Sequence, residues 1–464
     1  MSLADLSATE LRRRISAREV TVVESVEACL ERVSQLNPTL NAIVTPNPKA
    51  LDDAAQLDRR IKKGEDPGPL CGLTVGIKDV TPVAGLRTTF GSPIYADYVP
   101  KEDALVVRRL REAGAIILGK TNCPEFAAGA NTFNDVFGRT RNPWDTTKSA
   151  GGSTGGGAAA LATGMIALAE GTDLGGSLRI PAAFCGITGL RPSVGLVPTH
   201  PTDWPWDTLQ VTGPMARTAE DVALMLQTIA GPSELSPFAQ PMDGRDFVRG
   251  ARGARRNLRL AYCADIAGIS VDPAVERVCR EAAFALADKG AIVEEIQTDL
   301  SAARPAFLSL RGLWFVTHMF SRLDMQDRFG PNVGNNVRSG FEVTSREIAA
   351  AETYRGHLWH QFRKLFDDYD HLLTPCVAVP PFPVEQNYPD TIAGRPMKTY
   401  IDWIAPTFVL SLTGLPVASV PAGLDASGMP VGLQIAGGQF GEEDVLAIAS
   451  QIQKLRPIGL PRQP

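Results

Sequence analysis

Apolar positions recur along this chain with two alternating rhythms, one spaced for helix faces and one of short continuous runs suited to buried strands. Ser7-Ala8-Thr9-Glu10 reads as the start of a short helix. Thr21-Val22-Val23-Glu24 reads as a capping-box start to a longer one, running to about Gln35 and stopped by Asn37-Pro38. Ala104 to Ala113 predicts a helix ended by Gly114, followed by the apolar strand Ala115-Ile116-Ile117-Leu118. The alternation recurs in Ala219 to Ile229 with Arg259 to Cys263, and in Pro273 to Lys289 with Ala291 to Glu295. Helix and strand in turn predict an α/β layered fold.

Composition narrows the class. A chain of 464 residues, 44% hydrophobic and 21% charged, can bury a sizeable core, and its length alone would allow two or three domains. The stretch near Pro232 to Asn257 carries Pro232, Pro237 and Pro241, then Arg249, Arg252, Arg255, Arg256 and Arg259. A basic run can hold nucleic acid, but a net charge of −5 and the lack of interleaved aromatics favour a solvated linker, so no nucleic-acid partner is expected. The seven cysteines form no Cys-x-x-Cys pair, and an odd count over a long chain argues against a disulfide framework and for a reducing, cytoplasmic compartment. Met1 to Asp5 lacks a basic region leading into an apolar core, so no secretory signal is expected. The apolar runs are also too short for an ordinary membrane span.

Candidate chemistry concentrates between Gly151 and Pro192. Ser153 sits in Gly151-Gly152-Ser153-Thr154-Gly155-Gly156-Gly157, and Ser177 in Gly171-Thr172-Asp173-Leu174-Gly175-Gly176-Ser177. Glycine allows tight turns and close backbone approach, and such a turn can aim several N–H groups at the oxyanion formed when a serine attacks a carbonyl. An isolated Gly-Gly-Ser stretch is more often a loop, but two so close together weaken that reading. A phosphate-binding loop is excluded, because neither cluster carries the Lys of Gly-x-x-x-x-Gly-Lys-Ser/Thr. None of His200, His318, His357, His360 and His371 lies in a catalytic-looking turn, and the His357/His360 pair lacks a third ligand nearby, so no metal is expected. Lys78 follows the apolar run Leu73 to Ile77. Burial there would lower its pKa and make it a proton acceptor, whereas the alternative is a surface lysine paired with Asp79.

These clusters, with Cys185-Gly186, Gly189-Leu190-Arg191-Pro192, Gly76-Ile77-Lys78-Asp79, Leu118 to Asn122, Gly213 to Thr218, Thr413 to Pro416 and Pro430 to Gln434, resemble the amidase signature family over nearly the whole chain. The resemblance implies a single α/β domain, 1–464, with a central mixed sheet covered by helices on both faces. Within it, 1–62 is expected as an N-terminal helical segment and about 232–257 as a surface linker or insertion. It also implies a Ser-cisSer-Lys triad with Ser177 as nucleophile, Ser153 as bridge after a cis peptide bond, and Lys78 as base. Leu174, Gly175, Gly176 and Ser177 would supply the oxyanion amides, and no cofactor is implied. Arg179 is expected to brace the turn through backbone carbonyls, with Asp173 in support. Thr154 and Ala150 stand where serine and proline are commoner in the family; the Thr154 hydroxyl should preserve any supporting hydrogen bond.

The implied activity is hydrolysis of small aliphatic or aryl amides, with esters and carbamates (urethanes) chemically adjacent. Trp204, Trp206, Phe315, Met319 and Trp403 are candidates for the substrate pocket. A different outcome is a non-catalytic or partner-dependent subunit of an amidotransferase-type complex. A homodimer is a family-level expectation.

Overall fold

The computed structural model of the protein describes residues 2–298 and 300–461. Its strands in chain order are β1 (Ile43–Pro46), β2 (Thr74–Lys78), β3 (Ile116–Thr121), β4 (Phe133–Asn134), β5 (Gly138–Arg139), β6 (Leu168–Asp173), β7 (Thr188–Arg191) and β8 (Val211–Ala216). They continue with β9 (Arg259–Tyr262), β10 (Ile292–Glu295), β11 (His371–Pro375), β12 (Thr391–Ile392), β13 (Arg395–Pro396), β14 (Val417–Leu424) and β15 (Pro430–Ala436). Eleven of them form one mixed sheet in the order β1-β3-β2-β6-β8-β7-β14-β15-β11-β9-β10, while β4–β5 and β12–β13 are separate two-stranded ribbons. β2 runs parallel to β3 and β6, β9 lies between parallel neighbours β10 and β11, and the strands from β6 to β11 pair antiparallel.

Every residue of β2, β3, β6 and β8 is buried. Strands buried on both faces require helices on both sides of the sheet, which makes the predicted α/β layering the observed one. The helix Gly155–Ala162 is buried at all its residues, and its small side chains let it press against the strands. A Cβ on Gly156 would stand 2.3 Å from the backbone nitrogen of Asn122, so only glycine fits there.

Element boundaries follow the sequence closely, with instructive exceptions. Thr21 and Glu24 form the reciprocal cap predicted for them, but the helix continues through Pro38 to Leu40. Its last turn is tied by the Asn37 carboxamide, which accepts from the N–H groups of Ala42 and Ile43 at 2.8 Å each. That local bonding offsets the donor that proline removes. The helix predicted over Pro273 to Lys289 is α-helical only to Phe284 and tightens into 3₁₀ geometry over Ala285–Lys289. Between residues 232 and 257 the chain forms a helix, Phe247–Arg252, that buries Phe247 and Ala251. Within this basic stretch Arg252 pairs with Glu220 at 3.2 Å, Arg259 with Glu294 at 3.4 Å, and Arg255 with Asp444. Among the described residues no helix is long and apolar enough to cross a membrane. All seven cysteines are free and buried.

Candidate active site

The sheet delivers three chemical groups to one place. Lys78 ends β2, Thr172 lies on the neighbouring β6, and Ser153 occupies the turn that enters the helix Gly155–Ala162. Lys78 Nζ donates to Ser153 Oγ at 2.6 Å and to Thr172 Oγ1 at 3.0 Å. Both Lys78 and Ser153 are fully buried, and the Gly152–Ser153 peptide bond is cis. Among the described residues no carboxylate forms an ion pair with Lys78. Glu170, on β6, instead accepts from the backbone N–H of Lys78 and the hydroxyl of Thr81. Burial therefore dominates and brings Lys78 down to about 8, against the opposing pull of Cys123, Glu170 and Asp173. Lys120 is equally buried and also near 8, but its ammonium is held by the Thr81 carbonyl and the Thr88 hydroxyl, away from the serines.

Ser153 and the half-buried Ser177 line one cavity, together with Thr172, Leu174, Gly175, Ile180, Phe307, Arg311, Trp314, Phe315 and Tyr400. The Ser177 turn is fixed from behind by Asp173. Its carboxylate accepts from the Gly176 N–H at 2.9 Å and the Leu178 N–H at 3.2 Å. The Gly176 amide is thereby occupied, which leaves Leu174, Gly175 and Ser177 as the turn amides on the cavity wall. Gly176 itself needs a φ of +123°.

Arg179 braces this turn, though chiefly through side chains rather than the carbonyls expected. It meets Asp173 through two hydrogen bonds of 3.0 Å and also donates to Gln434, Ser411 and the Thr407 carbonyl. Burial works against the Asp173 charge, but Arg179 and Arg191 outweigh it and hold the carboxyl well below the usual range. Thr154 differs from expectation: its Oγ1 is buried and makes no hydrogen bond within the protein.

The aromatic candidates separate. Phe315 lines the serine cavity, and Met319 lines an adjoining opening that shares Phe126, Thr172, Gln210 and Trp314 with it. Trp204 packs against His318 with centroids 6.2 Å apart, to one side. Trp206 is 63% exposed and meets Phe238 edge-on. Trp403 is completely buried, stacked on Phe184 with Phe382 at its edge; three residues from Tyr400, it faces the core instead of the cavity. His200 and His318 lie in the adjoining opening, a placement that no local motif announces. The helix Ala303–Met319 supplies Phe307, Arg311, Trp314 and Phe315 from one face, a four-then-three spacing that was readable in the sequence.

The Amidase family model matches residues 24–446. An acylamidase from Rhodococcus erythropolis is 36% identical over 97% of this chain and 96% of that protein. One component of the glutamyl-tRNA(Gln) amidotransferase of Carboxydothermus hydrogenoformans is 35% identical over 98% of this chain and 100% of that protein. Among solved structures, a bacterial aryl acylamidase of the amidase signature family superposes with a TM-score of 0.91 at 27% identity, covering 99% of both chains. 6-Aminohexanoate cyclic dimer hydrolase superposes with a TM-score of 0.86 at 26% identity, over 100% of this chain and 99% of that one. With its motifs, its sheet and its relatives in agreement, the chain belongs to the amidase signature family and is a hydrolase of carbon–nitrogen bonds other than peptide bonds.

Proposed function

We propose that the protein is a cytoplasmic serine amidase that cleaves small aliphatic or aryl amides through an acyl-enzyme on Ser177. The observation that carries this reading is the buried 2.6 Å contact between Lys78 Nζ and Ser153 Oγ, opening on the cavity that Ser177 lines. Neutral Lys78 takes the Ser153 proton as Ser153 takes that of Ser177, and Ser177 Oγ bonds to the substrate carbonyl carbon. The oxyanion rests on the amides of Leu174, Gly175 and Ser177. The proton returns through Ser153 to the departing nitrogen, which leaves as a neutral amine because an amide anion is too basic to expel. Water, deprotonated by the same relay, then breaks the ester bond to Ser177 and releases the acid. Esters and carbamates present the same carbonyl to the same nucleophile and belong in the substrate range.

The test is a panel of p-nitroanilides, aryl and aliphatic amides, p-nitrophenyl esters and aryl carbamates, run on wild type beside Ser177→Ala. Serine-dependent turnover supports the reading. The near-equal identity to an acylamidase and to an amidotransferase component makes a partner-dependent role the second reading. Silence across the panel would favour it.

A further inference from the structure

The wall of the serine cavity contains a cation without an anion. Arg311 is 6% exposed and lines the cavity, yet among the described residues it pairs with no carboxylate. Its hydrogen-bond partners are the Asn336 carboxamide oxygen and the Tyr400 hydroxyl oxygen, and its guanidinium lies 4.7 Å from the Phe315 ring centre and 5.2 Å from that of Tyr400. A guanidinium has five N–H donors, so most of them lack a protein acceptor. The buried arginines behind the Ser177 turn differ in this respect, since Arg179 and Arg191 both meet the Asp173 carboxylate.

Tyr400 adds a second unpartnered donor. Its oxygen accepts from Arg311 and, at 2.8 Å, from Asn336 Nδ2. Asn336 is locked in that orientation because its Nδ2 also donates to the Asn332 carbonyl at 2.6 Å. Both lone-pair directions of the Tyr400 oxygen are thus in use, and among the described residues its own O–H has no hydrogen-bond acceptor. Tyr400 is 8% exposed and also lines the cavity. The corner therefore offers donors and positive charge, beside the apolar side chains of Phe307, Trp314, Phe315, Ile401 and Ile404 on the same wall. A buried cation in such surroundings is costly unless an anion completes it.

We propose that this Arg311–Tyr400 corner receives a carboxylate carried by the substrate, so that the enzyme selects amides with an acid group over their neutral isosteres. The proposal rests on the serine-amidase reading only in taking this cavity as the substrate site. A planar carboxylate suits the guanidinium fork, with the Tyr400 hydroxyl donating to either oxygen.

The experiment compares glutaryl-p-nitroanilide with valeryl-p-nitroanilide as kcat/KM, and N-butyryl-4-aminobenzoate with butyranilide, so that an acid on the acyl side is distinguished from one on the amine side. Wild type should favour the acid member of one pair. Arg311→Met should reduce that preference by roughly 10- to 100-fold, the worth of a charge-assisted hydrogen-bonded pair. Tyr400→Phe keeps the ring and should reduce it by a smaller factor, which covers the case in which Arg311→Met fails to fold. Calorimetric titration of Ser177→Ala with glutarate and with 4-aminobenzoate reads binding without chemistry. Binding of one of them that Arg311→Met in the same background abolishes would support the corner even if Ser177 proved not to be the nucleophile. A wild type that prefers both neutral members, or that binds neither acid, overturns the proposal.

Discussion

Lys78 Nζ lies 2.6 Å from Ser153 Oγ, and among the described residues no carboxylate pairs with it. Desolvation lowers a lysine so placed to about 8, within reach of its neutral form in mildly alkaline solution, and the serine hydroxyl is its nearest hydrogen-bond partner. The catalytic reading follows from that contact, and so do its pH predictions.

Activity should rise with pH and level off. The relay needs Lys78 unprotonated, and Lys78 titrates near 8, so log kcat/KM for a neutral amide should climb with unit slope below about pH 8 and flatten above it. A profile flat from about pH 6 to 9, measured under conditions where chemistry limits the rate, would contradict the assignment of the base.

Lys78→Met should separate activity from stability. Turnover should fall by roughly 10²- to 10⁴-fold with the loss of the base. Stability moves the other way at neutral pH, because the unfolded lysine holds its proton up to an ordinary value of 10.5 while the folded one releases it near 8. Wild type therefore gains stability as pH rises through that window, by up to roughly 3 kcal/mol. Lys78→Met should lack this share of the gain and keep the share of Lys120, which is likewise lowered to about 8. Denaturant melts of both proteins at about pH 7 and pH 10 measure it.

Much of this site was legible because its central motifs are local. Gly151 to Gly157 and Gly171 to Ser177 each place a serine in a glycine turn within a few residues, and Lys78 ends a strand whose apolar run announces burial. Arg311 and Tyr400 were not legible as partners: they lie 89 residues apart and meet only because the helix Ala303–Met319 packs beside the segment preceding Ala405–Ser411. Trp403 misled for the same reason, since an aromatic near the site in sequence can turn into the core when its helical phase differs. The occupied Gly176 amide depends on where the Asp173 carboxylate points, which no spacing rule reports.

Asp173→Asn should unfold the protein more readily and disarm it together. It removes the one negative charge shared by two fully buried arginines, and breaking a buried pair costs about 3–5 kcal/mol. The carboxyl is depressed in the folded state. Its stabilisation is therefore complete above the ordinary carboxylate value of 3.8 and lost as pH falls below it. In melts from about pH 6 down to 3 the gap between wild type and Asp173→Asn should stay constant to about pH 4 and only begin to narrow at the acid end, because the folded carboxyl remains ionised there.

Gly176→Ala should damage the Ser177 turn directly. The φ of +123° disfavours any side chain, and a Cβ would stand 2.4 Å from Thr407 Oγ1, which itself donates to the Gly175 carbonyl. Strain of this kind costs about 1–3 kcal/mol before the clash is counted. Thermal melting should register the loss of stability, and kcat should fall further than stability alone explains, since the amides proposed to hold the oxyanion flank the displaced residue.

The most direct test of the account is intact-protein and peptide mass measurement after treatment with a fluorophosphonate, on wild type and Ser177→Ala side by side. The account predicts one adduct, on the peptide containing Ser177, and none on the variant. Labelling of Ser177→Ala equal to that of wild type, or a wild-type adduct at another residue, would contradict it.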